Sequence, residues 1–143
     1  MIIGVIGGGL EISRPAIFIA NAWTYGEDYD RLVDLLHSHY GRGDWINLSS
    51  PENQPIPVDP EQTTIETANV MARATAVLVP ADAWSDYETP IRFELNLARH
   101  QHKPILCVIP WGSKKPPAEL LEICHAVVGW NGDEIGGAIA KLI

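Results

Sequence analysis

The sequence predicts a three-layer α/β domain on a five-stranded parallel sheet, and three observations carry that expectation. Short apolar runs without polar alternation recur five times, as strands covered on both faces require. Amphipathic segments with helical spacing separate them. Prolines and turn residues fall between the two kinds of segment, so strand and helix alternate along the chain. Such alternation gives the flavodoxin-like strand order 2-1-3-4-5, in which ligands bind beyond the carboxyl ends of the strands.

At 143 residues the chain is expected to be a single domain, 1-143, with a core large enough to need no metal or disulfide. Residues 1–14 are set apart as a leader or an extra edge strand. Gly7-Gly8-Gly9 after an apolar start suggests a dinucleotide fingerprint, but Ile12 occupies the third glycine's place and Pro15 would break the helix that must follow.

The regular part starts at Pro15. Ala16–Ala20 is the first strand, Asn21–Gly26 a loop, and Tyr29, Leu32, Val33, Leu35 and Leu36 mark an amphipathic helix. Asp44–Leu48 is expected as a second strand. Ser49–Pro60 holds four prolines and must be extended loop. Glu61–Arg73 reads as a helix with Ile65, Ala68, Met71 and Ala72 inward. Ala76–Val79 is a third strand closed by Pro80, and a loop then leads to a helix capped by Thr89 with Pro90 in its first turn. Ile105–Ile109, a short helix from Pro116-Pro117 to Cys124, Ala126–Gly129 and a helix over Asp133–Leu142 complete the pattern.

Glu94 is the residue this pattern singles out. It follows Ile91 by three and precedes Leu95 by one, so it lies on or beside the inward face, near a helix N-terminus that favours an ionised carboxylate. Such a glutamate either pairs with Arg92, Arg99 or Lys103 or does chemistry. Asp86 and Glu88 read as exposed loop or capping residues.

Composition narrows the function classes. A net charge of -8 and a pI near 4.9 argue against a nucleic-acid partner. No apolar run approaches the roughly 20 residues needed to span a bilayer, and the start lacks a secretory signal, so a cytoplasmic protein without membrane contact is expected. Cys107 and Cys124 lack the paired spacing of a zinc site and read as reduced structural thiols. His37 and His39, like His100 and His102, are two apart on expected helices and point to different sides. No metal site is expected.

Trp23, Trp84, Trp111 and Trp130 each fall just beyond an expected strand end, whereas Trp45 lies within one. Their faces suit a planar base or pyridine ring, or else they cap the core.

Four segments carry a resemblance: "IFIANAW", "WINLSSPENQPI", the stretch from Ala74 to Gly112, and "VVGWNGDEI". Together with Trp111-Gly112 after the fourth strand, Val128-Gly129-Trp130-Asn131 after the fifth, and Phe93-Glu94 on the third helix, they resemble the TIR-like family of Thoeris antiphage defence proteins. The resemblance spans Pro15 to Ile143. It implies an enzyme that cleaves NAD+ as substrate, a glycohydrolase or ADP-ribosyl cyclase with no permanently bound cofactor. Its ADP-ribose-derived signal would activate a downstream effector protein, and self-association into an oligomer or filament would accompany activity. On this resemblance Glu94 is catalytic, and Asn21, Trp23, Tyr25, Trp84 and Ser49 contact the nucleotide. Ala20-Asn21-Ala22 departs from the serine and the histidine or tyrosine that many relatives carry in that loop.

The chemistry has its own logic. A pyridinium is already a good leaving group, so cleavage chiefly needs a carboxylate to stabilise an oxocarbenium-like ribose. Rivals are a non-catalytic TIR-like scaffold and a nucleoside deoxyribosyltransferase-like N-glycosidic enzyme, which also sets a glutamate against a sugar anomeric carbon. A receiver domain would want acidic residues after strand one, and an FMN binder a Ser/Thr-rich loop there; Asn21–Gly26 offers neither.

Overall fold

The computed structural model describes residues 14–55, 59–109 and 115–143. Among the described residues, five strands, β1 (Ala16–Ile19), β2 (Ile46–Asn47), β3 (Ala76–Pro80), β4 (Ile105–Ile109) and β5 (Ala126–Gly129), form one sheet in the order β2-β1-β3-β4-β5. Every pairing is parallel, with Ile17 beside Ala76, Val77 beside Ile105 and Leu106 beside Ala126. This is the flavodoxin-like order 2-1-3-4-5 expected from the alternation.

Among the described residues, six helices cover the sheet: α1 (Glu27–Tyr40), α2 (Pro60–Met71), α3 (Ala81–Asp86), α4 (Glu88–His100), α5 (Ala118–Ile123) and α6 (Gly132–Leu142). The strand period divides the core into two layers. Phe18, Val77, Val79, Ile105 and Cys107 face α2 to α5, where they meet Met71, Trp84, Ile91, Leu95 and Leu120. Ile17, Ile19, Leu78, Leu106 and Val108 face the other way, against Leu32 and Leu36 of α1 and Ile135 and Ile139 of α6. A central strand residue such as Leu78, wholly buried, contributes about 2 kcal/mol of apolar burial.

Several boundaries differ from the sequence expectation. β1 stops at Ile19, and β2 keeps only two of the five residues from Asp44 to Leu48. Trp45 therefore precedes the strand, where it is buried and donates from Nε1 to His37 Nδ1 at 3.0 Å. The expected loop after β3 contains α3, which ends at Tyr87, whose backbone (φ -136°, ψ 44°) lies outside the helical region. α4 starts at Glu88, so Thr89 is inside the helix and not its cap. Pro90 still falls among first-turn residues that need no intrahelical donor.

α2 is rotated from the expected face. Ile65 is 48% exposed and Ala72 is exposed, while Thr67 and Met71 are buried. The apolar residues are spread around this helix, and contacts from the α4 end fix its rotation: Gln101 Nε2 donates to Ala68 O and Lys103 Nζ to Ala72 O. Asp59 caps α2 by accepting from Gln62 N at 2.7 Å, and Asn131 caps α6, which opens at Gly132, by accepting from Glu134 N.

Ser49–Pro60 includes a short 3-10 turn, Pro51–Asn53. Cys124 terminates α5 instead of lying within it, and His102 (φ 58°) lies past the end of α4. His125 Nδ1 accepts from Ile105 N, a structural role at the start of β5. Residues 1–13, Trp111 and Gly112 lie outside the described residues. No helix among those described is long and apolar enough to cross a membrane.

Candidate active site

Parallel topology brings the ends of β1 and β3 together at one edge, and Glu94 lies beneath that edge on α4. Its neighbours Ile91, Leu95 and Ala98 hold α4 against the sheet, and because Glu94 shares their face it is only 2% exposed. Of the alternatives for it, pairing is not what the structure adopts. Among the described residues Glu94 makes no ion pair; Arg92 turns outward to Glu88 and Glu119, at 2.8 and 2.7 Å, and Lys103 turns to Ala72.

The partner of Glu94 is backbone. Ala22 N donates to Oε1 at 3.0 Å. That donor is aimed by an unusual turn, since Ala22 (φ 57°) and Trp23 (φ 56°) are both left-handed, and together they cost on the order of 2–4 kcal/mol. Asn21 braces the turn: its Nδ2 donates to Thr24 O, while its own carbonyl accepts from Thr24 N and Thr24 Oγ1. The turn therefore sits as a cover over the carboxyl group.

Burial pushes the Glu94 carboxyl up to about 8, and the Ala22 N–H opposes that rise. Tyr25 lies close enough to feel the same group. Burial, then Tyr29 and Glu94, push its phenol up to about 12. Tyr25 OH and Asn21 Oδ1 are buried with no hydrogen-bond partner, two unsatisfied polar atoms in the cover of one buried carboxyl.

A cleft of about 280 Å³ opens beside the turn. Asn21, Thr24 and Gly26 line one side, Pro80, Ala83, Asp86 and Tyr87 another, and Glu27, Asp28 and Tyr29 of α1 the rest. Glu94 does not reach its wall; the 21–24 turn separates the two. Burial, then the nearby Asp82, and further Glu27 and Asp86, hold Asp28 above the ordinary carboxylate range, against the Arg31 guanidinium. Sequence reading passed over this acidic rim. Its signal was available, because the first turn of α1 and the segment after β3 both fall at the carboxyl edge once the topology is known.

The other expected nucleotide contacts are scattered. Trp23 packs edge-on against Phe18, with ring centroids 5.5 Å apart. Trp84 is 2% exposed in the core, with the Arg92 guanidinium 4.9 Å from its ring centre. Trp130 is buried between α1 and α6 beneath Arg31. Ser49 is fully buried, and its Oγ accepts from Ile19 N at 3.0 Å and donates to Asn47 Oδ1. The structure thus gathers Asn21, Tyr25 and Glu94, and leaves Trp84 and Ser49 inside. No cluster of three or more metal-ligating side chains occurs among the described residues.

Fold and site together define a flavodoxin-like α/β domain in which Glu94, the one buried carboxyl among the described residues, lies under the turn that follows β1. Among solved structures, the chain is similar to the CMP N-glycosidase BcmB of Clostridium botulinum, with 11% identity and a TM-score of 0.57. The match covers 90% of this chain and 99% of that one. At this identity the likeness establishes the fold. No protein-family model matches the chain, and no curated protein matches it.

Proposed function

We propose that the chain is an N-glycosidic enzyme that breaks the bond between a base and the C1′ carbon of a ribosyl or deoxyribosyl group. The observation that carries this reading is Glu94, a carboxyl buried at the ligand-binding edge with no cation among the described residues to neutralise it. Supporting it, BcmB is named as an N-glycosidase, and 99% of its chain is matched.

Glu94 acts on the sugar, not on the base. Ionised, it opposes the positive charge that develops at C1′ as the C–N bond lengthens, or it attacks C1′ and is later displaced by water or another acceptor. The turn over it must move to admit a sugar, and that motion exchanges the Ala22 N–H for ribose hydroxyls as partners of the carboxylate. Tyr25 OH and Asn21 Oδ1 then gain partners that they lack in the closed arrangement.

The test is base release from a panel of nucleosides, nucleotides and NAD+, followed by chromatography with mass detection. Wild-type protein releases base and Glu94→Gln falls by at least about 100-fold, in the range expected for loss of a charged transition-state contact. A Glu94→Gln variant as active as wild type refutes the assignment. The resemblance to TIR-like proteins makes NAD+ one member of that panel. Nicotinamide release from it would bring the defence-signalling role, self-association and effector partner into the proposal, and a folded protein inactive on the whole panel favours the scaffold.

A further inference from the structure

The cleft beside Glu94 has a pronounced charge character. Glu27, Asp28 and Asp86 lie on its wall, and Asp82 is near enough to raise Asp28. No arginine, lysine or histidine lines it among the described residues. The one Arg or Lys on α1, Arg31, is not among the lining residues; it pairs with the wall residue Glu27 at 3.9 Å and lies over the Trp130 ring. A phosphate or diphosphate here would meet several carboxylates and, among the described lining residues, no guanidinium or ammonium partner.

Two further observations say what the cleft does accept. Tyr29 and Tyr87 give it aromatic walls, which attract planar rings and cations in particular. Asn21 also lines the cleft, is 2% exposed, and leaves its Oδ1 acceptor without a donor. Carboxylates, aromatic rings and an unsatisfied acceptor together favour a ligand that brings positive charge and hydrogen-bond donors.

Building on the N-glycosidic reading, we infer that the site selects nucleosides without a 5′-phosphate, and favours those whose base carries a positive charge, such as pyridinium ribosides. Such a substrate needs no general acid. The C1′–N bond breaks with its electron pair going to the ring nitrogen, which turns the cationic ring into neutral nicotinamide. Water oxygen bonds to C1′, and one water proton is released to solvent. The acidic rim concentrates the cation at the mouth, and Glu94 meets the sugar.

The comparison that tests this is nicotinamide riboside against nicotinamide mononucleotide, which differ only by the phosphate, with NAD+, cytidine and CMP alongside. The riboside is expected to exceed the mononucleotide and NAD+ in kcat/KM by about tenfold or more, and cytidine to exceed CMP. Added salt narrows both ratios by screening the rim. Asp86→Asn and Asp28→Asn narrow them further. Cleavage of the mononucleotide, NAD+ or CMP as fast as its unphosphorylated counterpart overturns the inference.

Binding of the same compounds to Glu94→Gln, followed by ligand-observed NMR, separates this inference from the reading it rests on. Preferential binding of the riboside without base release from any compound in the wild type refutes the N-glycosidic assignment and leaves the charge selection standing. Equal or tighter binding of the mononucleotide refutes the charge selection itself.

Discussion

Replacing Glu94 by glutamine should stabilise the protein, and by an amount that grows with pH. The folded chain holds this carboxyl at about 8, whereas an ordinary carboxyl lies near 4.5, because ionising Glu94 in place strips it of water. The folded state therefore binds the proton more tightly than the unfolded state, and stability falls as pH rises from about 4.5 to about 8. Linkage converts the difference into a penalty of roughly 3 kcal/mol at pH 7 and roughly 5 kcal/mol above pH 8. Glutamine never carries the charge, and its carbonyl can still accept from Ala22 N. Thermal or urea unfolding of both proteins at pH 5, 7 and 9 measures the effect. The variant should match wild type within about 1 kcal/mol at pH 5 and exceed it by several at pH 9, about 10 °C or more in Tm. A difference independent of pH would mean that Glu94 is not held protonated, and the reasoning would fail.

Other expectations follow from single contacts. Base release by the wild type should climb with pH through about 8, because only the ionised Glu94 opposes charge at C1′; a profile flat from pH 6 to 9 argues against that role. Tyr25→Phe removes a buried hydroxyl that has no partner, so unfolding should show unchanged or slightly greater stability, by up to about 1 kcal/mol, while kcat/KM drops about tenfold. Ala22→Gly frees a left-handed position and should stabilise by about 1 kcal/mol in urea unfolding, whereas Ala22→Pro, deprived of the N–H and of the required φ, should destabilise. Gly132→Ala would put Cβ 2.9 Å from Leu35 O and force α6 away from α1, lowering stability by about 1–3 kcal/mol. Gly137→Ala, whose Cβ meets nothing within 4 Å, should instead stabilise by about 0.5–1 kcal/mol in the same melts.

What could be read from the sequence was what depends on local pattern. Unbroken apolar runs such as Val77-Leu78-Val79 announced buried parallel strands, and the spacing of Ile91, Leu95 and Ala98 placed Glu94 on the inward face. What escaped reading depends on distant partners. The hydrogen bond that captures Glu94 joins residues 72 apart in the chain, and the left-handed pair at Ala22 and Trp23 carries no glycine to signal it. Tryptophan positions misled for a related reason. A residue just past a strand end can turn either outward to a ligand or back over the core, and Trp84 turns back because α3 forms where a loop was expected. The rotation of α2 was likewise set by Gln101 and Lys103, which no pattern within α2 could reveal.

The two-residue edge strand β2 leaves Ile19 N with no backbone acceptor on that side, and the Ser49 hydroxyl takes the place of one. Amide hydrogen exchange would see a different sheet from the one the strand bounds describe. Ile19 should exchange as slowly as amides in the paired centre although β2 does not extend beside it, and Ser49→Ala should release that amide alone. The outer margin of this fold is thus recorded in a side chain, so its length can change in related sequences by trading a serine for another strand residue without disturbing the strands behind it.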